Sequence, residues 1–349
     1  MKYSFLGSLY SLALQNRPSL WKLCPPAGLL GLVTLVVLVV GATESNEPEQ
    51  ESRQAVTIEG ATQAGAAVAN AVPETSMAAI AEEPTAVVEQ APVAAAEVPG
   101  PQPPWGFESK AVAMYEPACD KMLYTKNADM QLPPASLTKM MTLLVSVESG
   151  IHPGNIMRPG ISSADLKQAT RSSVMGLSPD MTVTVKDLYF GLMLPSGNDA
   201  AIALAQSWGN YDSYIERMNQ RAAELGMTNT HFTNPHGLDN PQLYSTARDI
   251  SVLLYAMMAN PYTAWVSSTP HYQTTYGTLA FNNGNKLLTT YRGTLGGKTG
   301  FTNKAGHTLA VSVERGGRRI DLVVLGSTEK FVDATALLDW AFNETSPSC

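Results

Sequence analysis

The chain has little of what a metal or disulfide protein needs. Among 349 residues there are three cysteines, Cys24, Cys119 and Cys349, and five histidines. No Cys/His cluster forms at a metal-ligand spacing, so no metal site and no cofactor are expected. A fold that depends on disulfides is not expected either. A Cys119–Cys349 bond is left open, with nothing in the sequence favouring it. Basic residues are outnumbered, giving a net charge of −7, which argues against nucleic acid as a partner. Residues 44–104 contain no tryptophan, tyrosine or phenylalanine, and so cannot bury a core. No internal repeat is present.

The basic residues of the first segment, 1–22, are Lys2, Arg17 and Lys22, with no acid among them. Residues 23–43 carry no charge, and Glu44, Glu47, Glu49 and Glu51 follow. Basic before and acidic after an apolar run places the N-terminus in the cytoplasm and the remainder outside. The run is at the short end for a membrane span. Val40-Gly41-Ala42 offers a cleavage site for a secretory signal. The long basic leader and the run length favour an uncleaved anchor over a cleaved signal, and both readings export the rest. Residues 44–104, rich in Ala, Val, Glu and Pro, then read as a solvated tether with a reach on the order of 45 Å.

A folded domain is expected over 105–345, where aromatics and regular apolar periods begin at Trp105. Lys110–Tyr115 and Lys121–Thr125 read as a hairpin. Pro133-Pro134 precede an apolar helical period through Leu137, Met140, Met141, Leu144 and Val147, with Gly150 as its stop. Helices are expected over Val183–Leu194, from Asp199, over Tyr211–Leu225, and over Thr246–Ala259 with Ser245 as N-cap. Gly296–Thr302, His307–Glu314 and Arg318–Gly326 read as strands, the last two joined at Gly316-Gly317. Asp333–Phe342 reads as a closing helix. Strands at both ends with helices between them imply an α+β domain. One antiparallel sheet is built from the two ends, and a large helical insert packs beside it, leaving a cleft at the junction.

Three short motifs fall at that junction. Ser136 and Lys139, three residues apart at a helix start, share one face. The helix N-terminus favours a developing alkoxide, and a lysine with its pKa lowered by burial can take the serine proton. Taken alone, the pair also fits an N-cap and a solvated lysine. Ser196-Gly197-Asn198 sits between two helices, where an ordinary N-cap turn is the plain alternative. Lys298-Thr299-Gly300 lies on an expected strand, where a solvent-facing lysine is the plain alternative.

In this order, on helix start, loop and strand, the three resemble S-x-x-K, S-D-N and K-T-G of penicillin-binding proteins, with Gly197 in the middle motif as in the carboxypeptidase branch rather than the lactamases. Over about 107–344 the chain resembles the serine-type D-alanyl-D-alanine carboxypeptidases, the low-molecular-mass penicillin-binding proteins. Asn234-Pro235-His236-Gly237-Leu238 and Tyr244–Asp249 add to the likeness. The resemblance implies a β-lactamase/transpeptidase-like fold. It also implies a stem-peptide substrate from peptidoglycan ending in D-Ala-D-Ala, with β-lactam antibiotics as inhibitors.

The same resemblance assigns the residues. Ser136 is the nucleophile and Lys139 the base, with Lys298 depressing its pKa. Ser196 passes a proton to the leaving nitrogen, and Asn198 orients Lys139 and the substrate amide. Lys298 and Thr299 of Lys298-Thr299-Gly300 hold the terminal carboxylate. The N–H groups of Ser136 and Phe301 form the oxyanion hole. Arg248 is a weaker candidate for the carboxylate, its alternative being an ion pair with Asp249 or a neighbour.

A class A β-lactamase needs Glu-x-x-x-Asn after the middle motif. Glu216 is followed there by Gln220 and Glu224 by Thr228, so that reading fails. His236 falls in a Pro-His-Gly turn, which the resemblance assigns to structure, and the methionines read as core filler. Larger members carry a second, β-rich domain and a C-terminal anchor. With Cys349 just after the closing helix, neither is expected here, and anchoring falls to the N-terminal segment at the cytoplasmic membrane. Carboxypeptidase, endopeptidase and transpeptidase outcomes all share the motifs. A non-catalytic wall-peptide binder is disfavoured by the intact nucleophile set.

Overall fold

The computed structural model describes residues 102–349. The expected leader, apolar segment and almost all of the tether lie outside the described residues. No helix among the described residues is long and apolar enough to cross a membrane.

The chain enters through β1 (Ala111–Glu116) and β2 (Lys121–Lys126), then α1 (Thr138–Glu148). Next come β3 (Ile156–Met157), α2 (Ser163–Thr170), β4 (Val183–Thr184), α3 (Val185–Met193) and α4 (Asn198–Ser207). They are followed by α5 (Tyr211–Glu224), α6 (Ala247–Ala259) and α7 (Pro261–Ser268). A small ribbon, β5 (His271–Gln273) with β6 (Ala280–Asn282), leads through α8 (Leu287–Thr290) to β7 (Thr294–Thr302). The chain closes with β8 (Gly306–Arg315), β9 (Arg318–Ser327) and α9 (Lys330–Glu344). The main sheet has the order β2-β1-β9-β8-β7, with every neighbouring pair antiparallel. The expected sheet from both ends of the domain is present, with β1 and β9 side by side.

Both faces of this sheet are covered, which explains the near-continuous apolar runs of β8 and β9. Val112, Met114, Leu309, Val311, Leu322 and Val324 face α9 and pack with Leu337, Leu338 and Trp340. The alternate residues Ala111, Ala113, Ala310, Val323 and Leu325 join the core of the helical lobe. Period-two alternation thus divides one sheet between two cores. Buried in the lobe is α1, with Met140, Met141, Leu143 and Leu144 excluded from solvent.

Two local expectations are corrected. The N-cap of α6 is Thr246, whose hydroxyl accepts from Asp249 N–H, and not Ser245. Sequence spacing allowed either, and the observed cap is one residue closer to the helix. The closing helix starts at Lys330, three residues before the expected Asp333. The elements α2 and α7 and the two small ribbons went unpredicted because their apolar periods are too short to read.

Cys119 and Cys349 form a disulfide, with Cα atoms 5.4 Å apart. The pairing that the sequence left open is therefore present. The two residues lie 230 positions apart, and only the docking of α9 brings them together. The same corner holds a buried ion pair: Arg318 Nε donates to Glu116 Oε1 at 2.6 Å, and Arg318 Nη1 to the Ala341 carbonyl at 2.9 Å. Glu116 Oε2 also accepts from Ser348 N–H at 2.9 Å. These contacts fasten the end of the chain to the β1–β2 connection.

Candidate active site

Ser136 lies in a 3-10 turn, Ala135–Leu137, that runs into α1. The helix takes Leu137 as N-cap with no side-chain cap bond, so the Ser136 hydroxyl is not used as a cap. One turn on, Lys139 is fully buried, and its Nζ lies 2.9 Å from Ser136 Oγ. Lys139 Nζ also donates to the His236 carbonyl at 2.7 Å. That carbonyl belongs to a turn held by Asn234, whose side-chain oxygen accepts from Gly237 N–H at 2.7 Å. Gly237 has φ 85°, and a Cβ there would run into the Ala135 carbonyl, so only glycine lets the turn approach the serine. Burial, then the nearby Lys298 ammonium, hold the Lys139 amine well below its ordinary pKa.

His236 is pushed down to about 3, by burial first and by Lys139 second. Its Nδ1 accepts the N–H of Leu238 at 3.2 Å, which is the structural role expected of it.

The second wall comes from the β7 edge strand. A Cβ on Gly300 would fall 2.9 Å from the Ser136 nitrogen, so glycine is what allows the strand to press against the nucleophile's turn. Lys298 is buried under this strand, and its Nζ donates to the Thr299 carbonyl at 2.9 Å. Burial, then Lys330, lower its pKa to about 7.

The third wall is the Ser196-Gly197-Asn198 turn. Ser196 adopts φ 65°, a left-handed conformation that L-residues avoid, and its buried hydroxyl has no hydrogen-bond partner. Asn198 donates its side-chain amide to Ser172 Oγ at 2.7 Å. Asp199, also fully buried, anchors the turn. Its carboxylate accepts from the N–H groups of Met175 at 2.8 Å, Gly176 at 3.0 Å and Leu177 at 3.2 Å, and from Ser163 Oγ.

These walls enclose a cleft of about 250 Å³ lined by Ser136, Ser196, Asn198, Thr299, Gly300 and Phe301 among others. Lys139 and Lys298 sit immediately behind it. Three expectations change. Arg248 is not in the cleft: its guanidinium makes a two-pronged pair with Asp129, at 2.6 and 2.9 Å, and neither with Asp249 nor with the cleft. Asn198 contacts Ser172 and makes no hydrogen bond to Lys139. The Lys298 ammonium turns back on its own strand, leaving Thr299 and the unforeseen Lys330 at the surface of the cleft.

Lys330 lies with its Nζ 3.3 Å from the Gly300 carbonyl and 3.2 Å from His307 Nδ1. Burial, then Lys286, lower its pKa. Arg171, Ser172 and Ser173 also line the cleft and carried no sequence signal. Asp199 was visible as a helix-start acid beside the middle motif.

A sheet covered on both faces, with a Ser–Lys pair at its junction with a helical lobe, is the transpeptidase-like fold. The crystal structure of the Streptomyces K15 DD-transpeptidase matches with a TM-score of 0.65 and 32% identity, covering 70% of this chain and 99% of that one. An evolved putative penicillin-binding protein homolog from Mycobacterium tuberculosis matches with a TM-score of 0.64 and 32% identity, covering 72% and 97%. The chain belongs to the peptidase S11 family, D-alanyl-D-alanine carboxypeptidase, whose model matches residues 97–329.

Among similar proteins, the D-alanyl-D-alanine carboxypeptidase DacF of Bacillus subtilis is 33% identical over 250 residues, 69% of this chain and 64% of that protein. DacC of Escherichia coli is 37% identical over 247 residues, 67% of this chain and 61% of that protein. The match thus spans less than two thirds of either relative. A D-alanyl-D-alanine endopeptidase of Pseudomonas aeruginosa is 34% identical over 229 residues, 63% of this chain and 73% of that protein.

Proposed function

We propose that the protein is a serine D,D-carboxypeptidase that removes the terminal D-Ala of peptidoglycan stem pentapeptides through an acyl-enzyme on Ser136. The observation that carries this reading is the 2.9 Å contact of Ser136 Oγ with a buried lysine amine whose pKa is strongly depressed. A neutral amine at that distance accepts the hydroxyl proton as Oγ bonds to the penultimate carbonyl carbon. The oxyanion lies against the N–H groups of Ser136 and Phe301. The proton then passes through Ser196 to the D-Ala nitrogen, the C–N bond breaks, and water releases the acyl group by the reverse path. The strained, unpartnered Ser196 hydroxyl supports this relay.

Thr299 and Lys330 are the groups available to the terminal carboxylate at the cleft surface, with Lys298 lending charge from behind. Asn198, fixed by Ser172, faces the donor amide. A β-lactam acylates the same serine and leaves slowly. The mechanism as read needs neither a metal nor a cofactor.

Residues 1–22 form a cytoplasmic leader, 23–43 an anchor or signal, 44–104 a tether, and 105–345 the catalytic domain on the outer face of the cytoplasmic membrane. The Cys119–Cys349 disulfide supports an oxidising, extracytoplasmic location. A second reading, endopeptidase or transpeptidase on cross-links, draws support from the names of the Pseudomonas endopeptidase and the Streptomyces DD-transpeptidase. Incubation with a pentapeptide and with a cross-linked dimer separates the two. Free D-Ala from the pentapeptide is expected, with loss of turnover and of penicillin labelling in Ser136→Ala. Cleavage of the dimer alone would favour the second reading.

A further inference from the structure

Arg171 stands at the end of α2 in a left-handed conformation, φ 51° and ψ 29°, with its N–H donating to the Lys167 carbonyl at 2.8 Å. That position in a helix terminus suits glycine, and a side chain with a Cβ adopts it at a cost. The side chain is exposed to solvent, and among the described residues its guanidinium makes no ion pair and no hydrogen bond, so it is free to meet a ligand. Arg217, Arg221, Arg248, Arg318 and Arg319 all make ion pairs.

The backbone around Arg171 is nevertheless fixed. Asn198 N–H donates to the Ser173 carbonyl at 2.9 Å, and the Asn198 side chain to Ser172 Oγ at 2.7 Å. Arg171 is thereby fastened to the middle motif and lines the cleft beside Ser196 and Asn198, while no aspartate or glutamate lines it. A left-handed backbone that places an exposed guanidinium, free of protein partners, at the mouth of a binding cleft points to a ligand group there.

Lys330, the first residue of α9, reaches the strand wall at Gly300, and Arg171 lies on the helical-lobe wall. If the leaving residue's carboxylate is held by Thr299 and Lys330, the peptide passes Ser136 and its donor portion meets the Asn198 and Arg171 wall. We propose that Arg171 is a specificity-determining residue, pairing with a free carboxylate carried by the acyl-donor residues just before the scissile bond. The site thus selects a stem peptide with two anionic groups, one on each side of the reacting carbonyl. The planar guanidinium fork matches a carboxylate through two parallel hydrogen bonds and gains nothing comparable from an amide. This inference rests on the D,D-peptidase reading above.

The test uses the full chain and four synthetic pentapeptides ending in D-Ala-D-Ala: one with free carboxylates at the second and third residues, one amidated at each alone, and one amidated at both. In the unsubstituted protein, kcat/KM is expected to fall about tenfold on amidation of the residue that meets Arg171, and the two singly amidated peptides identify which residue that is. Arg171→Gly, which relieves the backbone strain, and Arg171→Gln are expected to bring the free-to-amidated ratio to about one, and Arg171→Lys to keep part of it. Turnover of all four peptides at one rate by the unsubstituted protein overturns the inference and leaves the D,D-peptidase reading standing. A preference that survives in both Arg171→Gly and Arg171→Gln does the same. Absence of turnover on every peptide, together with absence of penicillin labelling, overturns both.

Discussion

The side-chain nitrogen of Lys139 is held 2.7 Å from the carbonyl oxygen of His236, ninety-seven residues away in sequence. That contact aims the amine along the cleft floor toward Ser136 and leaves it short of solvent. Replacement by arginine keeps a donor for the carbonyl but removes the amine proposed to accept the serine proton, because guanidinium does not deprotonate. Lys139→Arg is expected to slow acylation by a labelled penicillin by about 10²–10⁴-fold. Labelling at the normal rate would falsify the base assignment.

Lys298 supplies a pH-dependent stability. Its folded-state pKa of about 7 lies below the ordinary lysine value of 10.5, so between the two the unfolded chain binds more protons. Stability therefore climbs as pH rises from about 7 and loses this contribution as pH falls back. Lys298→Met removes the buried ammonium and is expected to be more stable than the parent at pH 7. Its advantage narrows by about 2 kcal/mol at pH 9. Urea midpoints at the two pH values measure this, and an unchanged gap would mean that the ammonium does not titrate there.

Ser196 combines backbone strain with a buried hydroxyl that has no partner. Glycine at this position accepts φ 65° freely, so Ser196→Gly is expected to raise stability by about 1 kcal/mol while slowing acylation about a hundredfold. Thermal denaturation and penicillin labelling on the same sample check both halves. A variant that loses stability shows that the turn is held by the hydroxyl after all.

The three motifs were legible because each is a local device: a helix start, a tight turn and a glycine-flanked strand. The two ends of the sheet were legible from short apolar runs bounded by turns, Gly316-Gly317 among them. What escaped the sequence depends on tertiary contact. Arg248 reads as a weaker carboxylate candidate or an ion pair with Asp249 or a neighbour, and its partner Asp129, just past β2, is settled only by the fold. Lys330 lay outside the expected closing helix, and the pairing of β9 with β8 and of β8 with β7 sets it beside Gly300. Arg171 carries no motif because its meaning is a backbone conformation, and a single sequence does not state φ.

The Cys119–Cys349 bond escaped for the same reason, and it carries a measurable share of stability. Cross-linking residues so far apart restricts the unfolded chain strongly, and removal of such a bond typically costs about 2–5 kcal/mol. The Cys119→Ser, Cys349→Ser double variant is expected to unfold several degrees earlier, with penicillin labelling intact below its transition. An unchanged melting temperature would mean that the Glu116–Arg318 pair holds the corner unaided.

Because β1 lies against β9, the first strand of the described residues has no neighbour on that side until the last one is made. Ser136, Lys139 and Ser196 are all made early, but the wall that closes on them, β7 with Gly300, waits for the final hairpin. Synthesis order thus keeps the growing chain silent: a polypeptide halted after α7 holds a serine and a lysine on an unfinished floor and is expected to label with no penicillin. Competence is expected only once β9 docks beside β1 and brings β7 with it.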